Sequence, residues 1–315
     1  MASSERAVTR RALLGAAALL PLAGCARGVA PTSRTSPAPS STAPPSPAPS
    51  STARTEQRHD RLLELEREFD ARLGVHAVAT GSGAVVAHRA DERFAFCSTF
   101  KGLAVAAVLH RNPLSRLDEV VTYTEGDLLK SAVITRQHVA TGMTIRDLCD
   151  AAVRHSDGTA GNLLLRDLGG PAALTAYLRG LGDEVTRMDR VEPLIVEATP
   201  GDPRDTTSPR AIGADYRQVV LGDALPADER AFLRDLLERN TTGAQRIRAG
   251  VPQGWVVADK TGTGDYGTVN DIGVVWPPGS APLVIAVMST KATADAEYDQ
   301  AIIAKATEYA VTALT

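Results

Sequence analysis

The sequence predicts an α+β fold: a five-stranded antiparallel sheet flanked by helices, with an all-helical region inserted. Two strand-like runs stand near the start of the globular part, three stand near its end, and helical segments separate the two groups. Strands at both ends of a domain can pair in one sheet while the intervening helices pack together. With 315 residues and 43% hydrophobic content, the chain can bury a core of globular size.

The first 25 residues are typical of a targeting signal. Arg10 and Arg11 precede the uncharged run 12–23, which is shorter than the roughly 20 apolar residues that span a bilayer. Small residues lead up to Cys25, as in lipoprotein signals whose cysteine is lipidated and becomes the mature N-terminus. We predict a signal peptide over 1–25. An ordinary secretory peptide with an incidental cysteine is the alternative, and either Sec or twin-arginine export fits.

A low-complexity segment follows the signal. Residues 31–54 are only Pro, Ser, Thr, Ala and two Arg, so they have almost nothing apolar to bury. We predict a disordered linker over 26–55 and a globular domain over 56–315. The linker would act as a spacer from a lipid anchor, or as a plain leader without an anchoring role. The chain is expected to be exported, either lipid-anchored at the cell surface or secreted.

Charge and histidine spacing exclude two classes of function. Lys and Arg number 34 against 37 Asp and Glu, and no basic stripe indicates a nucleic-acid partner. The six histidines show neither H-x-H nor H-E-x-x-H spacing, so no zinc hydrolase site is predicted. We expect no metal and no other cofactor, and membrane contact only through the lipid anchor.

Helical periodicity and boundary residues predict seven helices. On the first, Leu62, Leu65 and Leu73 share one face, and on the third Thr144 stands three residues before Asp147, a capping-box pattern. The second helix is rich in Ala, Val and Leu and is predicted to be buried. The predicted helices are 56–73, 98–110, 144–153, 159–168, 171–181, 228–239 and 295–314.

Five β-rich runs and one long loop complete the domain. The predicted strands are 75–80, 84–88, 255–261, 268–276 and 282–289. The sequence Gly81-Ser82-Gly83 predicts a hairpin turn between the first two strands. Residues 191–207 are rich in Pro, Gly and Asp and predict an irregular loop. A loop of that length inside a compact domain is usually functional.

Ser98 and Lys101 form the first chemical motif. Residues three apart on a helix share a face, so the two side chains can touch, with Ser98 at the helix N-terminus. A serine hydroxyl is a poor nucleophile until a base takes its proton, and a desolvated lysine can serve as that base. Alone the motif is weak, because a chain of this length holds roughly one S-x-x-K by chance.

Two further motifs supply polar groups. Ser156-Asp157-Gly158 lies between two predicted helices, where Ser156 could relay a proton; its composition also fits an ordinary turn. Lys260-Thr261-Gly262 ends a strand, where Lys260 and Thr261 could hold a substrate carboxylate. The alternative for that second motif is a turn that simply ends the strand.

Glu192-Pro193, inside the long loop, is the fourth element. A loop carboxylate with a raised pKa can activate water. The alternative is an exposed acid, the usual position of a glutamate.

In this order and spacing, the four elements resemble the class A serine β-lactamases, actinobacterial type, whose motifs are S-x-x-K, S-D-N and K-T-G. The resemblance runs from Glu56 to the C-terminus. It implies the serine β-lactamase/D,D-peptidase-like fold and hydrolysis of a β-lactam ring through an acyl-enzyme on Ser98. It also implies a monomer, a salt bridge between Arg190 and Asp205, and a cis peptide bond at Glu192-Pro193.

The resemblance assigns a role to each site residue. Lys101 and Glu192 are rival bases for acylation, the latter acting through water, and Glu192 also activates the deacylating water. Ser156 passes a proton to the departing nitrogen. Backbone N–H groups of Ser98 and Thr263 form the oxyanion hole. The remaining substrate-binding residues, placed near the carboxylate, are Lys260, Thr261, Gly262 and Arg246.

The sequence departs from the family pattern at four places. Val196 stands where an asparagine usually helps to hold the deacylating water, and a valine offers no hydrogen bond. Gly158 replaces the asparagine of S-D-N, and Ser131 replaces the aromatic residue at the pocket mouth. Val191 replaces a frequent tryptophan. The partners that some members use for disulfides are absent, so Cys97 and Cys149 are expected to be free thiols.

Three functional hypotheses are compatible with the sequence, and Val196 motivates the second. The first is a β-lactamase with full turnover. The second is an enzyme that acylates readily but releases slowly, a β-lactam trap with weak hydrolysis. The third is a non-catalytic β-lactam-binding lipoprotein, which the intact motif residues argue against. A D,D-peptidase would share the serine and lysine but lack the loop glutamate.

Overall fold

The computed structural model describes residues 59–315. The predicted signal peptide over 1–25, the predicted lipidation site Cys25 and the predicted linker over 26–55 lie outside the described residues. Among residues 59–315, no helix is long and apolar enough to cross a membrane.

Helices and strands alternate in blocks along the described chain. The helices are α1 (Asp60–Phe69), α2 (Phe100–Arg111), α3 (Ile145–Arg154), α4 (Gly158–Leu168), α5 (Pro171–Gly180), α6 (Pro209–Val220), α7 (Ala227–Glu238) and α8 (Ala301–Leu314). The strands are β1 (Arg72–Ala79), β2 (Val85–His88), β3 (Phe94–Ala95), β4 (Val120–Val121), β5 (Met143–Thr144), β6 (Thr206–Thr207), β7 (Val256–Gly264), β8 (Thr268–Trp276) and β9 (Leu283–Thr290). Short 3-10 turns include Cys97–Thr99 and Leu194–Val196.

The main sheet has five antiparallel strands in the order β2-β1-β9-β8-β7, which confirms the predicted fold class. Strand side chains alternate between faces. Accordingly Val284, Ala286 and Met288 of β9 face the helical region, whereas Ile285 and Val287 face a second core that includes residues of α1 and α8. The sheet is therefore covered on both faces, and β7 forms one of its edges.

Helix α2 is the centre of the helical region. Every residue from Phe100 to Leu109 is buried, as expected for a helix that is hydrophobic on all sides. The predicted buried helix is thus confirmed, except that its first turn, Cys97–Thr99, is a 3-10 turn. Since α2 is held on all sides, the residues at its start are fixed by the core.

The structure corrects three element boundaries. The first helix ends at Phe69, because Asp70 adopts a left-handed conformation with φ +45°, and Leu73 lies in β1, paired with Ser289. The last helix begins at Ala301 rather than at residue 295, with the Asp299 carboxylate accepting the Ala301 N–H. Helix α6 was not predicted.

Candidate active site

Ser98 and Lys101 meet at the start of α2. Lys101 Nζ donates to Ser98 Oγ at 3.0 Å and to the Ser156 carbonyl oxygen at 2.8 Å. Lys101 has no exposed surface, and Ser98 is 8% exposed. Cys97, directly before the serine, has φ +48°, a sparsely populated conformation for a non-glycine residue. The turn thus presents the hydroxyl to the lysine at some conformational cost.

Two glycines make room for this turn. A Cβ at Gly161 would lie 2.8 Å from Lys101 Cε, so the glycine lets the lysine pass beside α4. A Cβ at Gly102 would lie 2.3 Å from the Tyr216 hydroxyl, which donates to the Thr99 carbonyl oxygen at 2.7 Å. That bond anchors the Cys97–Thr99 turn to α6.

Glu192 brings a carboxylate to the same point. Its Oε1 lies 2.7 Å from Lys101 Nζ and accepts from Ser98 Oγ at 3.1 Å. Its Oε2 accepts from Ser131 Oγ at 3.2 Å. The side chain is buried, so it is not the exposed loop acid that was the alternative. The Glu192-Pro193 bond is cis, as the resemblance implied.

The electrostatics of Glu192 favour the carboxylate form. Burial raises its pKa, but the Lys101 ammonium and the hydrogen bonds from Lys101, Ser98 and Ser131 outweigh this effect. The pKa of Glu192 therefore lies below its usual value. The raised pKa proposed from the sequence is wrong, because the sequence does not show how close the lysine lies.

The backbone of Glu192 is held by Asn162, which the sequence reasoning missed. Asn162 Nδ2 donates to the Glu192 carbonyl oxygen at 2.8 Å, and its Oδ1 accepts the Glu192 N–H at 3.1 Å. Asparagine is a poor helix former, and here it interrupts the leucine-rich α4. A polar residue among the leucines of this helix was the sequence signal that could have identified Asn162.

The ends of the long loop are joined by an ion pair. Arg190 Nε lies 2.6 Å from Asp205 Oδ2, and Asp205 Oδ1 accepts the N–H groups of Asp189 and Arg190. Asp205 is almost fully buried. The salt bridge implied by the resemblance is therefore present, and it fixes the loop close to Glu192.

Ser156 lies between two lysines. Lys260 Nζ donates to Ser156 Oγ at 3.1 Å, while Lys101 binds its carbonyl oxygen. Asp157 caps α4 by accepting the Ala160 N–H and also accepts the Thr135 N–H, so this is more than an ordinary turn. Burial, and then the nearby Lys101 charge, lower the pKa of Lys260 to about 7.

Strand β7 forms the wall beside the serine turn. A Cβ at Gly262 would lie 2.6 Å from the Phe96 carbonyl oxygen, so this glycine permits close approach of the two backbones. Thr261 Oγ1 lies 2.6 Å from Thr242 Oγ1. As the edge strand, β7 has an outer side on which no other strand of residues 59–315 pairs.

Arg246 lies behind that strand rather than at an open surface. It is 4% exposed and donates to the carbonyl oxygens of Gly262 and Asn270, at 2.9 and 2.8 Å, and to Thr263 Oγ1 at 2.8 Å. Its contact with the region where the substrate carboxylate is predicted to bind is therefore indirect, through the Thr263 hydroxyl.

Both described cysteines are free, as predicted, and both are buried. Burial raises the pKa of both thiols, which disfavours the reactive thiolate. A Cβ at Gly264 would lie 2.8 Å from Cys97 Sγ, so the thiol is closely packed against β7. Within residues 59–315, no three His, Cys, Asp or Glu side chains are grouped so as to hold a metal ion.

Val196 is half-buried. Its side chain packs against the main hydrophobic core, and its carbonyl oxygen accepts the Asp265 N–H at 2.8 Å. The side chain supplies no hydrogen bond toward Glu192, as the departure from the family pattern implied.

In this arrangement, the serine contacts a buried lysine and a buried carboxylate. This permits nucleophilic attack by the serine hydroxyl. It places the chain among the serine enzymes that work through an acyl intermediate.

The chain belongs to the β-lactamase enzyme family, whose model matches residues 56–314. It is 55% identical over 312 residues to a β-lactamase of Mycobacterium tuberculosis (strain ATCC 25618 / H37Rv), covering 96% of each chain. It is 59% identical over 250 residues to a β-lactamase of Amycolatopsis lactamdurans, covering 79% of this chain and 83% of that one. A class A β-lactamase from Clostridium kluyveri DSM 555 has a TM-score of 0.80 at 45% identity, covering 81% of this chain and 97% of that one.

Proposed function

We propose that the enzyme opens the β-lactam ring by forming an ester on Ser98 and releases the product by hydrolysis assisted by Glu192. The observation that carries the proposal is the buried contact of Ser98 Oγ with both Lys101 Nζ and Glu192 Oε1. The nucleophile and its proton acceptor are thus within hydrogen-bond distance before a substrate arrives.

Glu192 is the better candidate for the base that activates Ser98. The Lys101 ammonium has three N–H donors, and three acceptors surround it: Ser98 Oγ, the Ser156 carbonyl oxygen and Glu192 Oε1. With all three N–H groups engaged as donors, the group offers no lone pair to accept the serine proton. The Ser98 hydroxyl then donates to Glu192 Oε1.

Acylation proceeds as follows. Ser98 Oγ forms a bond to the lactam carbonyl carbon as its proton passes to Glu192, and the carbonyl oxygen becomes an oxyanion. The backbone N–H groups of Ser98 and Thr263 would stabilise that charge. When the oxyanion collapses, the carbon–nitrogen bond breaks. Ser156, beside Lys260, gives a proton to the departing nitrogen. It is reprotonated by the proton that Glu192 took from Ser98, passed on through the lysines, so that Glu192 is again a carboxylate.

Hydrolysis of the acyl-enzyme releases the product and returns a proton to Ser98. Glu192 takes a proton from a water molecule while the water oxygen attacks the ester carbonyl carbon. The bond to Ser98 Oγ then breaks, and the serine recovers a proton from Glu192. Lys260, Thr261 and Thr263, together with Gly262 in the strand backbone, would hold the substrate carboxylate, and Arg246 would orient Thr263.

A colour-change assay with nitrocefin tests the proposal. Ser98→Ala should abolish hydrolysis, whereas Ser280→Ala, a matched change in the exposed β8–β9 turn, should leave it unchanged. Equal hydrolysis by Ser98→Ala and the wild type would contradict a covalent mechanism at Ser98. The family membership and the complete set of site residues do not favour a non-catalytic lipoprotein.

We also propose that the chain is exported with 1–25 as a signal peptide, lipidated at Cys25 and tethered through 26–55 to a monomeric catalytic domain. The support is the sequence pattern alone. Detergent phase partitioning of cell extracts is the test: the wild type should enter the detergent phase and Cys25→Ala the aqueous phase. Equal partitioning of the two proteins would contradict lipidation. The monomeric state is tested separately by light scattering in solution, where the mass of a dimer would contradict it.

A further inference from the structure

The two carboxylate oxygens of Glu192 have different partners. Oε1 contacts Lys101 and Ser98, the groups of the acylation step. Oε2 instead accepts a hydrogen bond from Ser131 Oγ at 3.2 Å. Among the hydrogen bonds of residues 59–315, this is the one that holds Oε2, so Ser131 fixes the rotation of the carboxylate about its terminal bond.

Ser131 is itself held firmly against α4. The Gly158 N–H donates to the Ser131 carbonyl oxygen at 3.3 Å, and the Leu129 N–H donates to Thr159 Oγ1 at 2.9 Å. The buried Asp157 accepts the N–H of Ile134 at 2.8 Å. The segment on both sides of Ser131 is thus bonded to the Ser156–Thr159 region, which fixes the backbone that carries this exposed serine.

Gly158 provides the space for this contact. A Cβ there would lie 2.1 Å from Glu192 Oε2 and 2.2 Å from Ser131 Oγ. The backbone of Gly158 does not have positive φ, so its conformation does not require glycine. What the glycine provides is the volume in which Ser131 and Glu192 meet, and any side chain at 158 would separate them.

We propose that Ser131 is a positioning residue for Glu192, which orients the carboxylate for deacylation through a hydrogen bond that Gly158 makes possible. The inference rests on the proposed function of Glu192. Three departures from the family pattern then form one unit: Val196 supplies no hydrogen bond, Gly158 leaves room, and Ser131 donates to Glu192 Oε2. In this arrangement, the serine at 131 supports the carboxylate of Glu192, while position 196 supplies no polar group for the deacylating water.

Separate measurement of acylation and deacylation tests the inference. Benzylpenicillin is mixed with Ser131→Ala, and both rate constants are followed by rapid quench and intact-protein mass spectrometry. We expect deacylation to slow about tenfold, the effect of losing one hydrogen bond to a charged group, with a smaller change in acylation. KM should fall together with kcat, because the acyl-enzyme accumulates.

Two readouts separate positioning from a general structural effect. Without the Ser131 donor, the pKa of Glu192 rises, so the acid limb of the deacylation rate should move to higher pH. Lys101 and the Cys97 thiol, the other titratable groups facing Glu192, remain in place in all variants. Ser131→Thr keeps the hydroxyl and should restore most of the rate, and Ser280→Ala should behave as the wild type.

Gly158→Ala removes the same contact from the other side and should produce the same slow deacylation, which keeps the test valid if Ser131→Ala folds poorly. Wild-type deacylation rates and an unshifted pH limb in Ser131→Ala, or failure of Ser131→Thr to recover activity, would overturn the inference alone. A wild-type enzyme that forms neither adduct nor product would instead overturn the proposed function on which it rests.

Discussion

Lys101 Nζ lies 2.7 Å from Glu192 Oε1, with the lysine side chain fully buried and that of the glutamate 5% exposed. Removing one member of such a pair leaves an uncompensated buried charge, so each side chain requires the other. The pair joins α2, which carries the nucleophile, to the long loop, which carries the deacylating base. The chemistry of both half-reactions therefore depends on this contact.

The first prediction concerns the acid limb of the pH profile. Glu192 must be ionised to accept a proton, and its pKa is lowered, so activity should be lost only as the pH falls below the ordinary glutamate value of about 4.3. Steady-state kcat/KM for benzylpenicillin, measured from pH 3.5 to 6.5, reports this group in the free enzyme. An acid limb centred near pH 6 would show that burial raises the pKa of Glu192 by more than the Lys101 charge lowers it.

A second prediction concerns the alkaline limb. Lys260, with a pKa of about 7, loses its charge as the pH rises through neutrality, which weakens attraction for a substrate carboxylate. We expect kcat/KM for benzylpenicillin to fall above pH 7, with kcat less affected because bound carboxylate keeps the lysine charged. The methyl ester of the same substrate, which lacks that charge, is the control and should show no such limb. The same limb with both substrates would exclude this role for Lys260.

Asp215 on α6 yields a prediction about stability. Burial and the neighbouring Asp183 carboxylate raise its pKa to about 9, and Oδ2 has no hydrogen-bond partner among the described residues. Because the raised pKa keeps Asp215 protonated in the native state while the unfolded chain releases the proton, stability falls as pH rises from about 4 to 9.

Asp215→Asn should remove that part of the pH dependence. The variant should be more stable than the wild type at pH 8, by several kcal/mol, and nearly equal at pH 4. Urea unfolding at the two pH values measures both, with the exposed Asp223→Asn as the control. If the unfolding free energies of the wild type and the variant change by the same amount between pH 4 and pH 8, the raised pKa of Asp215 is contradicted.

Asn162 should matter for catalysis as well as for folding. Asn162→Ala removes both bonds to the Glu192 backbone, so we expect a loss of about 1–3 kcal/mol in unfolding free energy and a lower kcat. Asn112→Ala is the matched control, because Asn112 also donates to a backbone carbonyl, that of Val108 at 2.8 Å, but lies at the far end of α2. It should lower stability and leave kcat unchanged; an equal effect of both variants on kcat would rule out local positioning of Glu192.

The sheet and most helices were readable from the sequence because their patterns are local. Leu73 was misassigned because its helical spacing from Leu65 and Phe69 coincides with the strand spacing from Val75. Helix α6 was missed, although Ser208 caps it and Pro209 occupies its first turn. Boundary signals of this kind are easily overlooked after a long loop.

The fine structure of the site was less predictable. Ser98 and Lys101 are three residues apart, so helix geometry brings them together. The inward direction of Ser131 depends on empty volume at Gly158, and the ion pair of Glu192 depends on how the loop folds back onto α2. Both are tertiary effects that no local pattern encodes.

The most direct test of the account is the fate of the acyl-enzyme in Glu192→Gln. Intact-protein and peptide mass spectrometry with benzylpenicillin follows the adduct over time. The account predicts an adduct on the Ser98 peptide that forms more slowly than in the wild type and decays at least about 100-fold more slowly, because glutamine cannot take a proton from water. An adduct on another residue, or wild-type decay in Glu192→Gln, would contradict it.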